Sequence, residues 1–346
     1  MQASSRWIHG PLTDAALAWL WVPIFVAVRL AEGHGDGVAT LMGIAFIISF
    51  AHQPLTMGLV YGDAVQFQRH RRLYVWTPVV LAALVTLGMT LSLVAVAIVA
   101  ALWNAEHTLM QRYGLTRIYG RKAGDDLGGL EKPMYISWLV FALLWLPAFV
   151  DLPKMSATLG FGGRNRQGLE LLDRLHGASV GLLVAGGVVA GGLTARWLLA
   201  QRRLTAAQRT PAKYLYVAAT FGLVIAVVVD PAAGFVSYIA AHALEYFVIV
   251  HASLRRRAAT GDTSFVARVA ATGGRRARLY VGYLVGVLVL AFATLGKFDG
   301  RLYAWLVLFF GGLHVFYDGF VWKLRRPATA ASLGISVPTA AAAVAR

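Results

Sequence analysis

The chain of 346 residues contains no cysteine, which excludes disulfides and thiolate metal sites. It is also poor in charge. Only 14% of residues are Asp, Glu, Lys or Arg, against about 25% in an ordinary soluble domain, while 58% are hydrophobic. No internal repeat stands out, and the HxxxH and HxxHH boxes of fatty-acid hydroxylases and desaturases do not occur. What remains is a chain of long apolar runs, such as "AALAWLWVPIFVAVRLA" and "LVAVAIVAALW", each part of a segment near the roughly 20 residues that span a bilayer. The first run starts near Leu12 and is long enough to be a true span rather than a cleavable leader.

The pattern predicts an all-α, polytopic transmembrane helical bundle of about ten spanning helices, at 11–31, 37–62, 73–90, 91–113, 134–152, 176–199, 212–230, 232–253, 278–296 and 302–323. The split between the third and fourth rests on a weak turn near Thr90. Residues 1–327 read as a single membrane domain, and 328–346, rich in small residues, as a disordered tail. The formal charge of +16 needs no nucleic acid. With the N-terminus in the cytoplasm, 24 of the 32 basic residues fall in cytoplasmic segments and seven outside, the positive-inside asymmetry. Both termini are then cytoplasmic in an integral protein of a bacterial inner membrane.

Without thiols, nine histidines are the main chemical resource. His52, His107, His242 and His314 all lie on even-numbered spans, which run in one direction, about 9–20 Å from their cytoplasmic ends. Carboxylates accompany three of them. Glu245 follows His242 by three and Asp318 follows His314 by four, so each pair shares a helical face. Glu106 precedes His107 directly, about 100° around the helix. An Asp at mid-membrane costs about 2.5–3.5 kcal/mol on insertion scales, and a bound cation removes that penalty. The expected metal ligands are His52, His107, His242, Glu245, His314 and Asp318, with Glu106, Glu245 and Asp318 as carboxylates for catalysis. Imidazole and carboxylate without thiolate suit iron, one or two ions, with zinc or manganese as alternatives. His9, His34, His70, His176 and His251 lie in loops, at helix ends or on the opposite face, and carry no expected ligand role. Tyr61, Tyr246 and Tyr317 fall near the proposed centre, while Arg112 and Arg117 fall near a cytoplasmic mouth, in reach of lipid headgroups.

The segment "LHVFYDGFVWKLRRP", with histidine, aspartate four on and a basic-proline exit, resembles the late helix of the Brp/Blh-type bacterial carotenoid dioxygenases. "FVIVHASLRRR" is similar to that family's third histidine motif, which favours His251 over His242, and "WNAEHTL" stands where its second would be. The family's opening proline-histidine-glycine motif reads "AHQPLTMG" here, and its paired histidines are absent. The resemblance implies a membrane iron centre that cleaves a carotenoid with dioxygen. The combined reading is a membrane-embedded non-haem iron oxygenase. It takes a lipophilic substrate (lipid, isoprenoid or fatty-acyl) and dioxygen, and its environment is membrane lipid. Two alternatives use the same residues: a proton or metal-ion transporter, and a metal-dependent lipid hydrolase or transferase with the ion as Lewis acid.

Overall fold

In hydrocarbon every backbone N–H and C=O must be satisfied within the chain, so apolar runs of this length fold as helices. A computed structural model describes residues 7–159, 174, 176–259, 261–262, 264–297 and 300–335. Among them every element is helical: α1 (Pro11–Ala18), α2 (Trp21–Ala31), α3 (Gly37–Tyr61), α4 (Ala64–Arg69), α5 (Arg71–Ala123), α6 (Gly128–Phe149), α7 (Leu152–Thr158), α8 (His176–Arg202), α9 (Pro211–Val229), α10 (Pro231–Ala259), α11 (Phe265–Val269), α12 (Gly273–Leu295), α13 (Arg301–Val321) and α14 (Pro327–Ser332). Nine segments among the described residues are long and apolar enough to cross a membrane, the first being α1 and α2 together. The chain is an all-α polytopic bundle and an integral membrane protein.

The expected span at 91–113 has no counterpart among these nine; it is the second arm of α5. Its helical hydrogen bonding is interrupted at Ser92, whose backbone (φ −162°, ψ 102°) is extended. Ser92 Oγ then caps the second arm by accepting from Ala95 N at 3.2 Å. The contacts show that the chain reverses here. Tyr74 and Thr86 of the first arm bond Tyr317 and Trp305 of α13, so that arm runs antiparallel to α13. In the second arm, Ala105 and Arg112 bond Tyr238 and Glu245 of α10, seven residues on in both chains, so that arm is parallel to α10. Gly88 sits at the crossing: a methyl there would fall 2.3 Å from Val96. The second arm fails as an apolar span because Glu106, His107, Arg112 and Arg117 interrupt it.

That arm also runs ten residues past its expected end at 113, because nothing breaks the helix before Gly124, which adopts the left-handed cap (φ 75°). Its extension, expected as part of a basic loop, is buried. Arg117 bonds Asp125 at 2.9 Å and Glu131 at 2.8 Å, and Lys213 bonds Asp125 at 2.6 Å and also Glu131. Trp197 Nε1 donates to Glu131 at 3.2 Å. Two cations and two carboxylates thus close one neutral network across α5, α6 and α9. Gly120 and Gly128 make room for it: a methyl on Gly120 would lie 2.8 Å from Asp125 Oδ2, and one on Gly128 2.7 Å from Arg117 Nε.

The basic segments gather at one end of the bundle, hereafter the basic end. Arg257 pairs with Asp63 there, Arg326 Nη1 donates to Gln66 at 3.2 Å, and Lys122 Nζ donates to the Trp7 carbonyl at 3.0 Å. The stretch 327–335, expected at the start of a tail, instead forms α14 and a buried turn; Ala330, Leu333 and Ile335 pack with Ile8, Leu115, Ile118 and Ile249. Residues 336–346 lie outside the described residues. The glycine-rich α8 packs on α6 through Gly186 and Gly187, beside Leu144 and Phe141, while methyls on Gly177, Gly181, Gly191 or Gly192 would meet nothing. Among its glycines, those two therefore serve close helix packing, and the buried Ala190 adds to it. At the centre stands α10, with 78% of its apolar window buried, against α2, α3 and α9.

Two outcomes test the charged network. Gly128→Ala should destabilise by about 1–3 kcal/mol through overpacking against Arg117, whereas Gly129→Ala, with open space at its Cβ, should be neutral or stabilising; thermal unfolding in detergent reads the difference, and equal effects would remove the packing account. The second concerns pH. Burial pushes the Asp125 carboxyl up, but Lys213 and Arg117 outweigh it and hold the group below its ordinary range. The folded state therefore binds this proton less readily than the unfolded chain does. Its contribution is fully present above the unfolded value of about 4 and is lost as pH falls through the folded one. Wild-type stability should drop more steeply on acidification below that value than stability of Asp125→Asn.

Candidate metal centre

Four parallel segments bring the histidines to one level. In α3 and α13, His52 faces His314 and, one turn on, Thr56 faces Asp318, so the two helices are in register. Residues four apart share a face, which is why each helix contributes two side chains to the same layer. His107 arrives on the second arm of α5 and His242 on α10. All are buried: His52, His242 and His314 are 1% exposed, His107 7% and Asp318 8%.

The imidazoles converge through their nitrogens. His314 Nε2 lies 3.2 Å from His52 Nε2 and 3.0 Å from His107 Nε2. The His242 ring stands perpendicular to both neighbours, its centroid 4.8 Å from that of His52 and 5.1 Å from that of His107. Nitrogens bound about 2.0–2.1 Å from one ion lie about 3.0–3.4 Å apart, the separation found here. Ligand atoms of His52, His242 and His314, and again of His107, His314 and Asp318, lie within 4.8 Å of one another and could hold a metal ion.

The hydrogen-bond inventory points the same way. His314 Nδ1 is 2.7 Å from Thr56 Oγ1. Thr56 Oγ1 donates to Asp318 Oδ1 at 2.9 Å, so it takes the His314 Nδ1–H as acceptor, and His314 Nε2 is left bare toward two other imidazoles. Among the described residues neither nitrogen of His242 has a hydrogen-bond partner, although the ring is buried. His314 Nε2 has one lone pair for two facing imidazoles and can accept from only one of them, whereas a cation among the nitrogens would be coordinated by all three. Asp318 supplies the negative charge. Its Oδ1 also accepts from Tyr246 OH at 2.9 Å, which leaves Oδ2 aimed inward, 3.8 Å from His107 Nε2 and 3.9 Å from His314 Nε2. Carboxylate and hydroxyl partners of this kind fix ligand orientation in metal sites.

Two of the expected residues belong elsewhere. Glu245 does not face the histidines; it forms an ion pair with Arg112, and its Oε2 accepts from Gln111 at 3.5 Å. The reason is Arg112, which is fully buried rather than at a mouth, and a buried guanidinium requires a counter-charge. Glu106 lies on the exposed side of the α5 arm, a third of a turn from His107, and joins neither ligand group. His251 bonds Tyr280 OH at 2.9 Å on the other face of α10, so His242 and not His251 enters the cluster. His9, His34, His70 and His176 bond Asp14, the Glu32 carbonyl, Arg326 and the Pro147 carbonyl, away from the site. Tyr246 contributes to the network, whereas Tyr61 and Tyr317 bond each other at 2.9 Å. Thr56 was not foreseen, although its spacing of four from His52 is the signal that links His314 to Asp318.

Co(II) titration of the purified protein tests the Thr56 bridge. Thr56→Val keeps the shape and removes the hydroxyl's bonds to His314, Asp318 and Tyr246, so affinity should fall about 10–100-fold. Tyr61→Phe, which loses a bond outside the network, should leave it unchanged. Equal affinities in wild type and Thr56→Val would show that the hydroxyl does not orient the ligands.

No protein-family model matches the chain, and no curated protein or solved structure matches it, so the assignment rests on the residues themselves.

Proposed function

We propose that the protein is a membrane-embedded oxygenase that uses one iron ion, held by His52, His107, His242, His314 and Asp318, to oxidise a lipophilic substrate with dioxygen. The observation that carries this reading is the convergence of four imidazoles and one inward carboxylate oxygen inside a bundle of apolar helices. One ion suffices. Both three-residue groups share His314, whose other nitrogen is engaged by Thr56, and a single carboxylate is present to serve them. Imidazole and carboxylate donors without thiolate would suit iron. When bound, the ion supplies the redox and dioxygen-binding chemistry.

The chain's own groups set the conditions. Thr56 and Tyr246 hold Asp318 so that one oxygen faces the ligands. The Arg112–Glu245 pair is internally neutral, so Asp318 remains the one unpaired charge in the ligand layer. The surrounding bundle excludes bulk water from His52, His242 and His314, while the His107 and Asp318 side chains keep 9% and 7% of their surface accessible. A lipophilic molecule moving laterally from the bilayer reaches the cluster from that side, and dioxygen is itself soluble in lipid. Cleavage of a carbon–carbon double bond by one dioxygen into two carbonyls balances without an added reductant, in line with the resemblance of the α13 segment to carotenoid dioxygenases. The likeness makes an isoprenoid chain the favoured substrate class. With the basic end in the cytoplasm of a bacterial inner membrane, both termini face inward and the loop at Gly33 faces outward.

Elemental analysis of purified protein should find about one iron per chain by the donor count. His314→Ala should abolish it and His70→Ala should not. Oxygen uptake with lipid extract should stop on iron removal. Ion flux in sealed vesicles that Asp318→Asn abolishes, in a protein with neither metal nor oxygen uptake, would replace the enzyme with a transporter. Reporter fusions at Gly33 and Gly128 should report opposite sides of the membrane; the same side for both would defeat the topology.

A further inference from the structure

We infer that the basic end of the bundle carries a specific binding site for an anionic phospholipid, built from α11 and the start of α12. A cavity of about 660 Å³ opens there, lined by Phe265, Arg268, Val269, Arg275, Arg278 and Leu279. Three of its six residues are arginines and the other three are apolar, and no acidic side chain lines it. The nearby acid, Asp262, is engaged by Arg257, whose Nε donates to it at 2.5 Å. Arg276 turns away and donates to the Ala270 carbonyl at 2.8 Å, so its charge does not crowd the cavity. Arg278 makes only a long 3.5 Å bond, through Nε to the Gly274 carbonyl, which leaves the outer fork of its guanidinium to face a ligand.

Three guanidiniums with no acidic partner among the described residues repel one another, and a phosphate among them relieves that repulsion by charge-assisted hydrogen bonds. The second half of the site lies on the same helix. From Arg278, an exposed apolar stripe follows at helical spacing: Val281, Val285, Leu288, Val289 and Phe292, at 62%, 54%, 39%, 62% and 64% exposure. It descends along a membrane-spanning helix that faces lipid over most of its surface. A ligand that fits is an amphiphile with an anionic phosphate in the cavity and acyl chains along α12. Free phosphate would use the arginines and ignore the stripe; a phospholipid uses both. Three basic residues at a membrane surface each add about a fivefold preference for anionic lipid.

Native mass spectrometry of the full-length protein, titrated with phosphatidylglycerol or phosphatidylcholine, tests this site. Wild type should retain phosphatidylglycerol at least about tenfold more strongly than phosphatidylcholine. The triple variant Arg268→Gln, Arg275→Gln, Arg278→Gln should lose that preference. Arg69→Gln, Arg71→Gln, Arg72→Gln removes the same charge from exposed arginines at the same end and should keep it. If the triple variant does not purify, Arg275→Gln and Arg278→Gln singly should each lower the preference about fivefold. An equal loss in the Arg69/Arg71/Arg72 variant would reduce the effect to general surface charge. Displacement of phosphatidylglycerol by inorganic phosphate at millimolar concentration would make the cavity a free-phosphate site, and equal retention of the two lipids would overturn the proposal altogether.

Discussion

A carboxylate that must remain inside a lipid-embedded bundle is the constraint around which the centre of this protein is arranged. Asp318 sits among imidazoles, not among cations, and the hydroxyls of Thr56 and Tyr246 fix one of its oxygens. Two hydrogen bonds stabilise the ionised group without neutralising it. The remaining oxygen and the facing nitrogens then form a layer with a negative charge and more lone pairs than protons to satisfy them. Such a layer is unfavourable alone and favourable around a cation. The parallel register of α3, α10, α13 and the second arm of α5 follows from this requirement, because all four helices must place a histidine at one level.

The other buried charges obey a different rule, and the contrast separates closed ion pairs from the open ligand layer. Arg112 with Glu245, and Arg117 and Lys213 with Asp125 and Glu131, are closed sets of equal and opposite charge. A closed set is weak as a source of stability, since desolvation offsets much of the attraction, but removing one partner leaves an unpaired charge and costs about 3–5 kcal/mol. These sets tie α5 to α6, α9 and α10. Within the ligand layer no such closure exists: Asp318 has no Lys or Arg partner among the described residues.

Much of this was legible from composition and spacing. Apolar runs and the distribution of basic residues defined the bundle, and the period of the helix put His314 and Asp318 on one face. The four histidines could be singled out because each fell at a similar distance from a helix end. Spacing failed where pairing between helices decided the outcome. Glu245 lies three residues from His242 and could face the same centre, but a neighbour's guanidinium claims it. Arg112 looked like a loop-edge residue because the helix appeared to end at 113, and no local signal marks the ten further residues that bury Arg117. Hydrophobicity alone could not reveal α14 either, since small residues such as Ala330 pack closely without forming a long apolar run.

The same physics bears on which members of the layer are least covered. The layer is deep, and its least covered members, His107 and Asp318, come from the two segments on either side of the α5 reversal at Ser92: His107 from the second arm, Asp318 from α13, which packs on the first. Two arms that meet at one extended residue can diverge as they leave it, whereas a continuous helix would hold them at a fixed spacing. At the ligand layer the second arm and α13 meet, with His107 Nε2 3.0 Å from His314 Nε2. Among the helices that surround the layer, the first arm of α5 is also the most lipid-exposed, with only 6% of its apolar window buried. The break at Ser92 thus sets the register of His107 against α13 while leaving the first arm turned toward hydrocarbon.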